Sequence, residues 1–551
     1  MSPTILALMI LTPLLAGLVA ATATEKRARS AALLGSFASL IPVVVGLFQF
    51  DWTRAAEFQG AGSASWIDSL GLQLAIGADG VSMMLVALSA MLGPICVLAS
   101  WTAIKDRPRL YYSWLMILQA AMIGVFCSRD LLLFYICFEF TLLPMFVLIR
   151  VYGSTNKAAA SVKFFLYTFT GSIIALAGLL YVVSHHQQVT GEWSLQIGDL
   201  MTTAKQMNGS QQGWVLAALL SGFAVKVPLF PVHTWLPLAH TEAPTAGSVL
   251  LAAVLLKLGT YGIFRFAMGF APAAFAAYAP EIAVLAIIGI IYAGLICWVQ
   301  DDIKKLVAYS SVSHLGFCVL GLLAVNQTGV TGSVLYMLSH GLSTGGLFLM
   351  IGMMYERYHT RDMREVGGLA SKMPVWSTFM IFFALASVGL PGLNGFPSEL
   401  LCLLGTFQSD PGLIASGAPG AAGGTLGIWY AVFAGTGMVI AAMYLLYMVG
   451  KICFGELREP KDHHEHDELP TDLNSREIGL LIPLAAGCLL FGLYPKMLTD
   501  AIEAPVAQAV AEVMSATDLP APGPARGSAP QITPAIPHDT PTNSQPTDEG
   551  H

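Results

Sequence analysis

Fourteen runs of mainly apolar residues set the limits on what this chain can fold into. They lie near 4–22, 31–50, 81–104, 110–127, 131–150, 160–183, 213–239, 244–270, 279–299, 303–325, 331–355, 374–408, 425–453 and 478–499. A spanning helix needs about 20 such residues, because it rises only about 1.5 Å per residue through a hydrocarbon layer of about 30 Å. Charged residues make up 11% of the 551 positions, against roughly 25% in soluble domains. A water-soluble fold of this length would lack the polar groups to cover its surface, whereas lipid solvates apolar helix faces directly. The expected fold is therefore an all-α membrane protein of about 14 transmembrane helices in one bundle. The first run, Ile5 to Ala21, has no basic residue ahead of it, and Lys26, Arg27 and Arg29 follow it. A secretory signal carries its positive charge first, so this run reads as a retained span.

Lysine and arginine positions orient the bundle, since cytoplasmic loops are enriched in both. With the N-terminus outside, nineteen of the 27 basic residues fall in inward-facing loops or at their edges, and six fall outside. The remaining two, Lys226 and Lys257, lie inside spans. An even number of spans places both termini on the outer side of the membrane. The net charge of −7 includes no basic stripe, so nothing points to nucleic acid. The eight cysteines form no CxxC pair and sit mostly within apolar runs. They read as small buried hydrophobes rather than iron–sulfur ligands. The proline-rich stretch after Ser515 has too little apolar surface to pack and is expected to be disordered. The polar loop from Lys461 to Asp467 holds His463, His464 and His466 and reads as solvated.

Ionisable groups inside the spans carry the functional information. Glu139 lies near the middle of LLLFYICFEFTLLPMFVLI, Lys226 in GFAVKVPLFPV, Lys257 in LLAAVLLKLGTYGIF, and Glu399 just after PGLNGFPS. Placing one charge at the bilayer centre costs roughly 2.5–3.5 kcal/mol on insertion scales, so such residues mark ion or proton pathways. An ion pair that serves packing alone explains them poorly, because an apolar pair is usually as stable. A buried lysine is pulled toward neutrality by desolvation and toward protonation by a carboxylate, so it suits a switchable proton relay. His233, His240, His314 and His340 extend the set, each able to accept a proton on one ring nitrogen and release one from the other. His233 and His240 are seven apart and would share a face of an unbroken helix.

Two spans carry backbone breakers at mid-depth. One reads VKVPLFPVHTWLP, with Pro228, Pro231 and Pro237, and the other VGLPGLNGFPSE, with Gly389, Pro391, Gly392, Gly395 and Pro397. Interrupted helices in corresponding halves of a membrane chain point to a conduction or binding site. Glu139 precedes Lys226 by 87 positions and His314 precedes Glu399 by 85. That spacing suggests two inverted repeats of five helices each. The expected organisation is helices 1–3 in 1–104, a first repeat in 105–270 and a second in 271–455. A cytoplasmic loop with the last transmembrane helix follows in 456–515, then the tail 516–551.

The stretch KVPLFPVHTWLPLAHTEAPTAGSVLLAAVLLKLGTYGIFRF resembles the signature of the antiporter-like membrane subunits of respiratory complex I. IGADGVSMMLV, DDIKKLVAYSSVSHLGF, SHGLSTGGLFLM and GLPGLNGFPSEL agree with it, and the resemblance runs from about residue 70 to 500. Glu399 in the second broken helix, where the N-type and Mrp branches carry lysine, is similar to the M-type branch. So is the lack of the long lateral C-terminal helix of the L branch. The resemblance implies that Glu139 pairs with Lys226, that Lys226 switches, that Lys257 passes the proton on near His314 and His340, and that Glu399 is the terminal group toward the outside. The family often carries aspartate in LPDAH where this chain has Leu238. It also implies proton translocation driven by quinone reduction in partner subunits, which hold NADH, flavin, iron–sulfur clusters and quinone. No cofactor or metal is expected on this chain. The expected partners are the other complex I membrane subunits, especially the L and N antiporter-like subunits, within the inner membrane of a bacterium. The alternatives are an Mrp-type cation/proton antiporter subunit and a membrane subunit of a related hydrogenase complex.

Overall fold

A computed structural model describes residues 1–67, 72–460 and 471–517. Twelve of its helices are long and apolar enough to cross a membrane. The two remaining apolar runs, near 213–239 and 374–408, are each divided into two shorter helices. These are Gly209–Lys226 with Leu236–Glu242, and Pro374–Val388 with Gly395–Gln408. The interruptions fall where the prolines and glycines stand. The loop 461–467 and the tail beyond Thr517 lie outside the described residues.

Position in the bundle follows from what each helix exposes. Pro3–Thr22, Glu25–Gln49 and Ser475–Leu493 leave most of their apolar surface uncovered, as lipid-facing helices do. Thr245–Phe270 and Gln327–Tyr358 are buried along their whole apolar windows. Lys257 and His340 belong to these two central helices, so the intramembrane polar groups are shielded from lipid on all sides. Close helix contact relies on small residues, because lipid offers no hydrophobic drive for association. A Cβ built on Gly171 would stand 2.5 Å from the Ser221 carbonyl oxygen, and one on Gly222 would stand 2.7 Å from the Ala175 Cβ. The helices Lys157–Thr190 and Gly209–Lys226 therefore touch backbone to backbone and hold the first interruption in place.

Two elements depart from the sequence expectation. Residues Gln59–Ile67 and Leu72–Ala78 form an antiparallel hairpin, with Gly62 opposite Ile76 and Ala64 opposite Leu74. The first strand is rich in glycine, serine and alanine, so its pattern gives no strand signal, and a mainly helical chain here carries one small sheet. The segment 456–515 contains a second helix, Lys496–Ser515, after the last span. Its buried Leu498, Ile502, Val506 and Val510 recur every four residues, which is the stripe of an amphipathic helix. It lies across the end of the bundle that carries the hairpin, with the Ala501 carbonyl against Gly80 and the Glu503 carbonyl accepting from Gln327 Nε2 at 3.1 Å.

Candidate functional site

The first interruption begins at Lys226, the last residue of Gly209–Lys226. Pro228 has no N–H to offer the Ala224 carbonyl, so Leu229 N takes that carbonyl instead at 2.8 Å. The freed Val225 carbonyl accepts the Trp235 indole N–H at 2.9 Å. These substitutes satisfy backbone that lipid would leave unpaired. The Phe230–Pro231 peptide is cis. Lys226 is 2% exposed, and its ammonium sits at a helix C-terminus, where the backbone dipole favours a cation. Nζ donates to Thr141 Oγ1 at 3.3 Å and stands 4.4 Å from the centre of the Phe138 ring.

Thr141 marks a break in the helix that carries Glu139. Leu131–Phe140 ends there and Leu142–Tyr152 begins, because Pro144 cannot donate to the Phe140 carbonyl. Glu139 is half-buried, and its Oε1 has no hydrogen-bond partner. Among the described residues no contact ion pair joins Glu139 to Lys226, although their charges act on each other. The lysine is held instead by the hydroxyl and ring that flank the carboxylate in sequence. The geometry is that of a separated pair with its lysine parked one step away.

Lys257 is fully buried on Thr245–Phe270, between two π-helical turns at Leu251–Leu255 and Ile263–Ala267. A π turn widens the helix and shifts the hydrogen-bond ladder by one residue. Lys257 Nζ reaches the Ala252 carbonyl at 2.6 Å and His340 Nδ1 at 2.6 Å. The His340 ring lies 5.9 Å from the His314 ring, centre to centre, and its Nε2 has no hydrogen-bond partner.

From His314 the hydrogen bonds run in one direction. Tyr336 Oη donates to Glu399 Oε1 at 2.5 Å. A tyrosine has one proton to give, so at its 2.7 Å contact with His314 Nδ1 it accepts. His314 then carries its proton on Nδ1, and Nε2 accepts from Tyr444 Oη at 3.3 Å. His314 Nδ1 also lies 3.4 Å from Glu399 Oε1. The line from Tyr444 through His314 and Tyr336 therefore ends on the Glu399 carboxyl, which is 1% exposed.

The second interruption places that carboxyl. Pro374–Val388 is closed by Gly389 at φ +82°, and Gly395–Gln408 brings Glu399 back against the break. A Cβ on Gly389 would stand 2.7 Å from Glu399 Oε2. Asn394 Nδ2 ties the turn to the Ser339 carbonyl at 2.8 Å, beside His340. Gly389→Ala is expected to displace Glu399 and to add about 1–2 kcal/mol of backbone strain at positive φ. Thermal unfolding in detergent, alongside proton translocation, checks this. Translocation should fall while most of the folded protein survives.

The histidines of the first interruption separate. His240 belongs to Leu236–Glu242, is fully buried, stacks on Phe348 at 4.6 Å, and has no partner on either nitrogen. His233 lies within the break, against Phe230 and Tyr292. The exposed face of Tyr292 places His233 at the flank of the bundle rather than on its axis. The helix does not continue between the two, so they share no face. Leu238 packs half-buried against the core. Sequence reasoning did not single out Tyr336, Tyr444 or Lys304. Tyr336 stands four before His340 on one helix, a spacing that places both on one face and was open to reading. Tyr444 comes from a helix more than a hundred residues away and left no local signal. Among the described residues no three metal-ligating side chains cluster.

Residues 128–423 match the family model described as NADH:quinone oxidoreductase/Mrp antiporter, transmembrane, and residues 4–125 match NADH-ubiquinone oxidoreductase chain 4, amino terminus. The chain is 40% identical over 506 residues to NADH-ubiquinone oxidoreductase chain 4 of Arabidopsis thaliana, covering 91% of this chain and 96% of that one. It is 38% identical over 493 residues to NADH-quinone oxidoreductase subunit M of Rhodobacter capsulatus, covering 89% and 91%. Among solved structures it superposes on a chain of respiratory complex I from Thermus thermophilus with bound NADH. The TM-score there is 0.79 at 27% identity, covering 92% of this chain and 99% of that one. It shares its fold with a chain of the Mrp complex from Dietzia, at a TM-score of 0.76 and 20% identity, covering 93% and 99%. The broken helices, the buried lysines and these likenesses agree: the chain belongs to the NADH:quinone oxidoreductase/Mrp antiporter transmembrane family, within which it is similar to subunit M and chain 4 over nearly its whole length.

Proposed function

We propose that this chain moves protons across the bilayer as a membrane subunit of an NADH–quinone oxidoreductase, along a path from Glu139 and Lys226 through Lys257 to Glu399. The observation that carries the reading is the donor-to-acceptor line His314–Tyr336–Glu399, which ends on a buried carboxyl at a broken helix. Lys257 and His340 stand at the near end of that line. A proton arriving on His314 Nε2 releases the Nδ1 proton to Tyr336, which passes its own to Glu399; His314 is left as the Nε2–H tautomer and the Tyr336 hydroxyl turned toward it, and both reset before the next proton. Lys226, parked on Thr141 and Phe138, is the switch. When its ammonium moves toward Glu139 the charge near the middle of the path changes, and Lys257 is less opposed in holding a proton.

The remaining assignments belong to the same reading. The basic-residue asymmetry puts both termini on the outer, periplasmic side of a bacterial inner membrane and Glu399 on the exit side. The repeats 105–270 and 271–455 each contribute one of the two wide interruptions, and the first adds the break at Thr141. NADH, flavin, iron–sulfur clusters and quinone reside in partner subunits, and the L and N antiporter-like subunits are the membrane neighbours. The near-full-length similarity to subunit M favours this over a gradient-driven antiporter.

Glu399→Gln in the assembled complex tests the reading. The amide keeps the shape and the acceptor for Tyr336 but cannot take up a proton. Proton translocation per NADH oxidised should fall by about tenfold or more, the scale on which a positioned proton-transfer group acts. A change in the tail beyond Thr517 should leave it unaltered. Translocation that is equal in both variants rejects the path.

A further inference from the structure

A second group of buried charges stands at the opposite end of the bundle from the hairpin, where the path above makes no use of it. Lys304 opens the helix Ile303–Leu323, is 7% exposed, and donates from Nζ to the Ala243 carbonyl at 2.6 Å. Ala243 directly follows the short helix Leu236–Glu242, which carries His240. Arg361 Nη1 donates to the neighbouring Thr241 carbonyl at 2.6 Å, and its Nε lies 3.6 Å from Asp302. Glu242 is 5% exposed, and its carboxylate accepts from Ser154 Oγ and Asn156 N at 2.8 Å each. Of these groups, Lys304 is the one that combines burial with a readily exchanged proton. An arginine does not give up its proton in a protein, and Glu242 is fixed as an acceptor by two donors.

His240 is the link inward. It is fully buried and neither ring nitrogen has a hydrogen-bond partner. Both Lys304 and Lys257 act on it by charge. An unpartnered buried imidazole costs about 1–3 kcal/mol for each unsatisfied group, and packing alone would be served as well by phenylalanine against Phe348. Capping the carbonyls at the end of Leu236–Glu242 does not require a lysine either, since Arg361 already caps the Thr241 carbonyl two residues earlier. We infer that Lys304 is an entry group for protons from the side assigned to the cytoplasm, handing them through His240 to Lys257 and His340. In the step, one N–H bond of the Lys304 ammonium breaks and, through a bridging water that gives up one proton as it takes another, one forms on the unprotonated nitrogen of His240. The neutral amine is refilled from solvent, while His240 passes its other proton inward. This deepens the proposed function and rests on Lys257 being part of the path.

The test is Lys304→Arg in the assembled complex, with assembly, NADH–quinone electron transfer and proton translocation all measured. Arginine keeps the charge and can cap the Ala243 carbonyl, but it releases no proton. The expected result is normal assembly with translocation lowered about tenfold, and His240→Gln lowered alike. A purely structural lysine predicts that Lys304→Arg restores full translocation, and that result overturns the inference. If Lys304→Arg does not assemble, His240→Gln decides alone: full translocation overturns the entry route and its loss supports it. Lys257→Met, measured beside them, separates the two levels. If it too translocates normally the whole path is rejected, whereas loss there with full activity in Lys304→Arg and His240→Gln rejects only this entrance.

Discussion

Lys257→Met is expected to lower proton translocation by about tenfold or more while the complex still assembles. Methionine is close to lysine in length and flexibility and fits irregular core gaps. The fold gains from the change in one respect, since a charge at the bilayer centre costs roughly 2.5–3.5 kcal/mol. It loses the hydrogen bonds of Nζ to the Ala252 carbonyl and to His340 Nδ1, at about 0.5–1.5 kcal/mol each. These effects nearly cancel, so the variant separates function from folding. The proposed relay from Lys257 toward the His314–Tyr336–Glu399 line is lost outright, because methionine carries no exchangeable proton. Assembly is read from the amount of purified complex, and translocation from acidification driven by NADH in vesicles.

Lys226→Ala is expected to have an effect of the same size by a different route. The lysine does not conduct by contact here; its ammonium rests on Thr141 and on the face of Phe138. The Thr141 hydroxyl keeps its bond to the Phe138 carbonyl at 2.7 Å without the lysine, so the break in Leu131–Tyr152 survives. A buried cation–π contact is worth about 2 kcal/mol, which the surrounding bundle tolerates. What disappears is the movable charge near Glu139. Translocation should be abolished with the complex intact, and normal translocation in this variant removes Lys226 from the path.

How much of this was legible in the sequence depends on the range over which each feature is decided. Span positions and the two interruptions are local: lipid demands long apolar runs, and prolines and glycines cannot continue a helix. Glu139, Lys226, Lys257 and Glu399 stood out because lipid makes their charge costly, whatever their neighbours. Contacts between helices are not local. Tyr444 meets His314 from a helix far along the chain, and no periodicity announces it. The separation of His233 from His240 was hidden for the same reason, since the seven-residue spacing holds only in an unbroken helix. The helix Lys496–Ser515 escaped because its apolar stripe is narrow and interspersed with Asp500, Glu503 and Glu512. The hairpin escaped because glycine, serine and alanine carry no strand pattern.

The most direct measurement is the number of protons translocated per NADH oxidised, in sealed vesicles holding wild-type, Lys257→Met and Glu399→Gln complexes at equal electron-transfer rates. A single line from Lys257 to Glu399 predicts that both variants lose the same number of protons per NADH, and that the double variant loses no more than either. An unchanged ratio in both, or losses that add in the double variant, contradicts one shared path through these two residues.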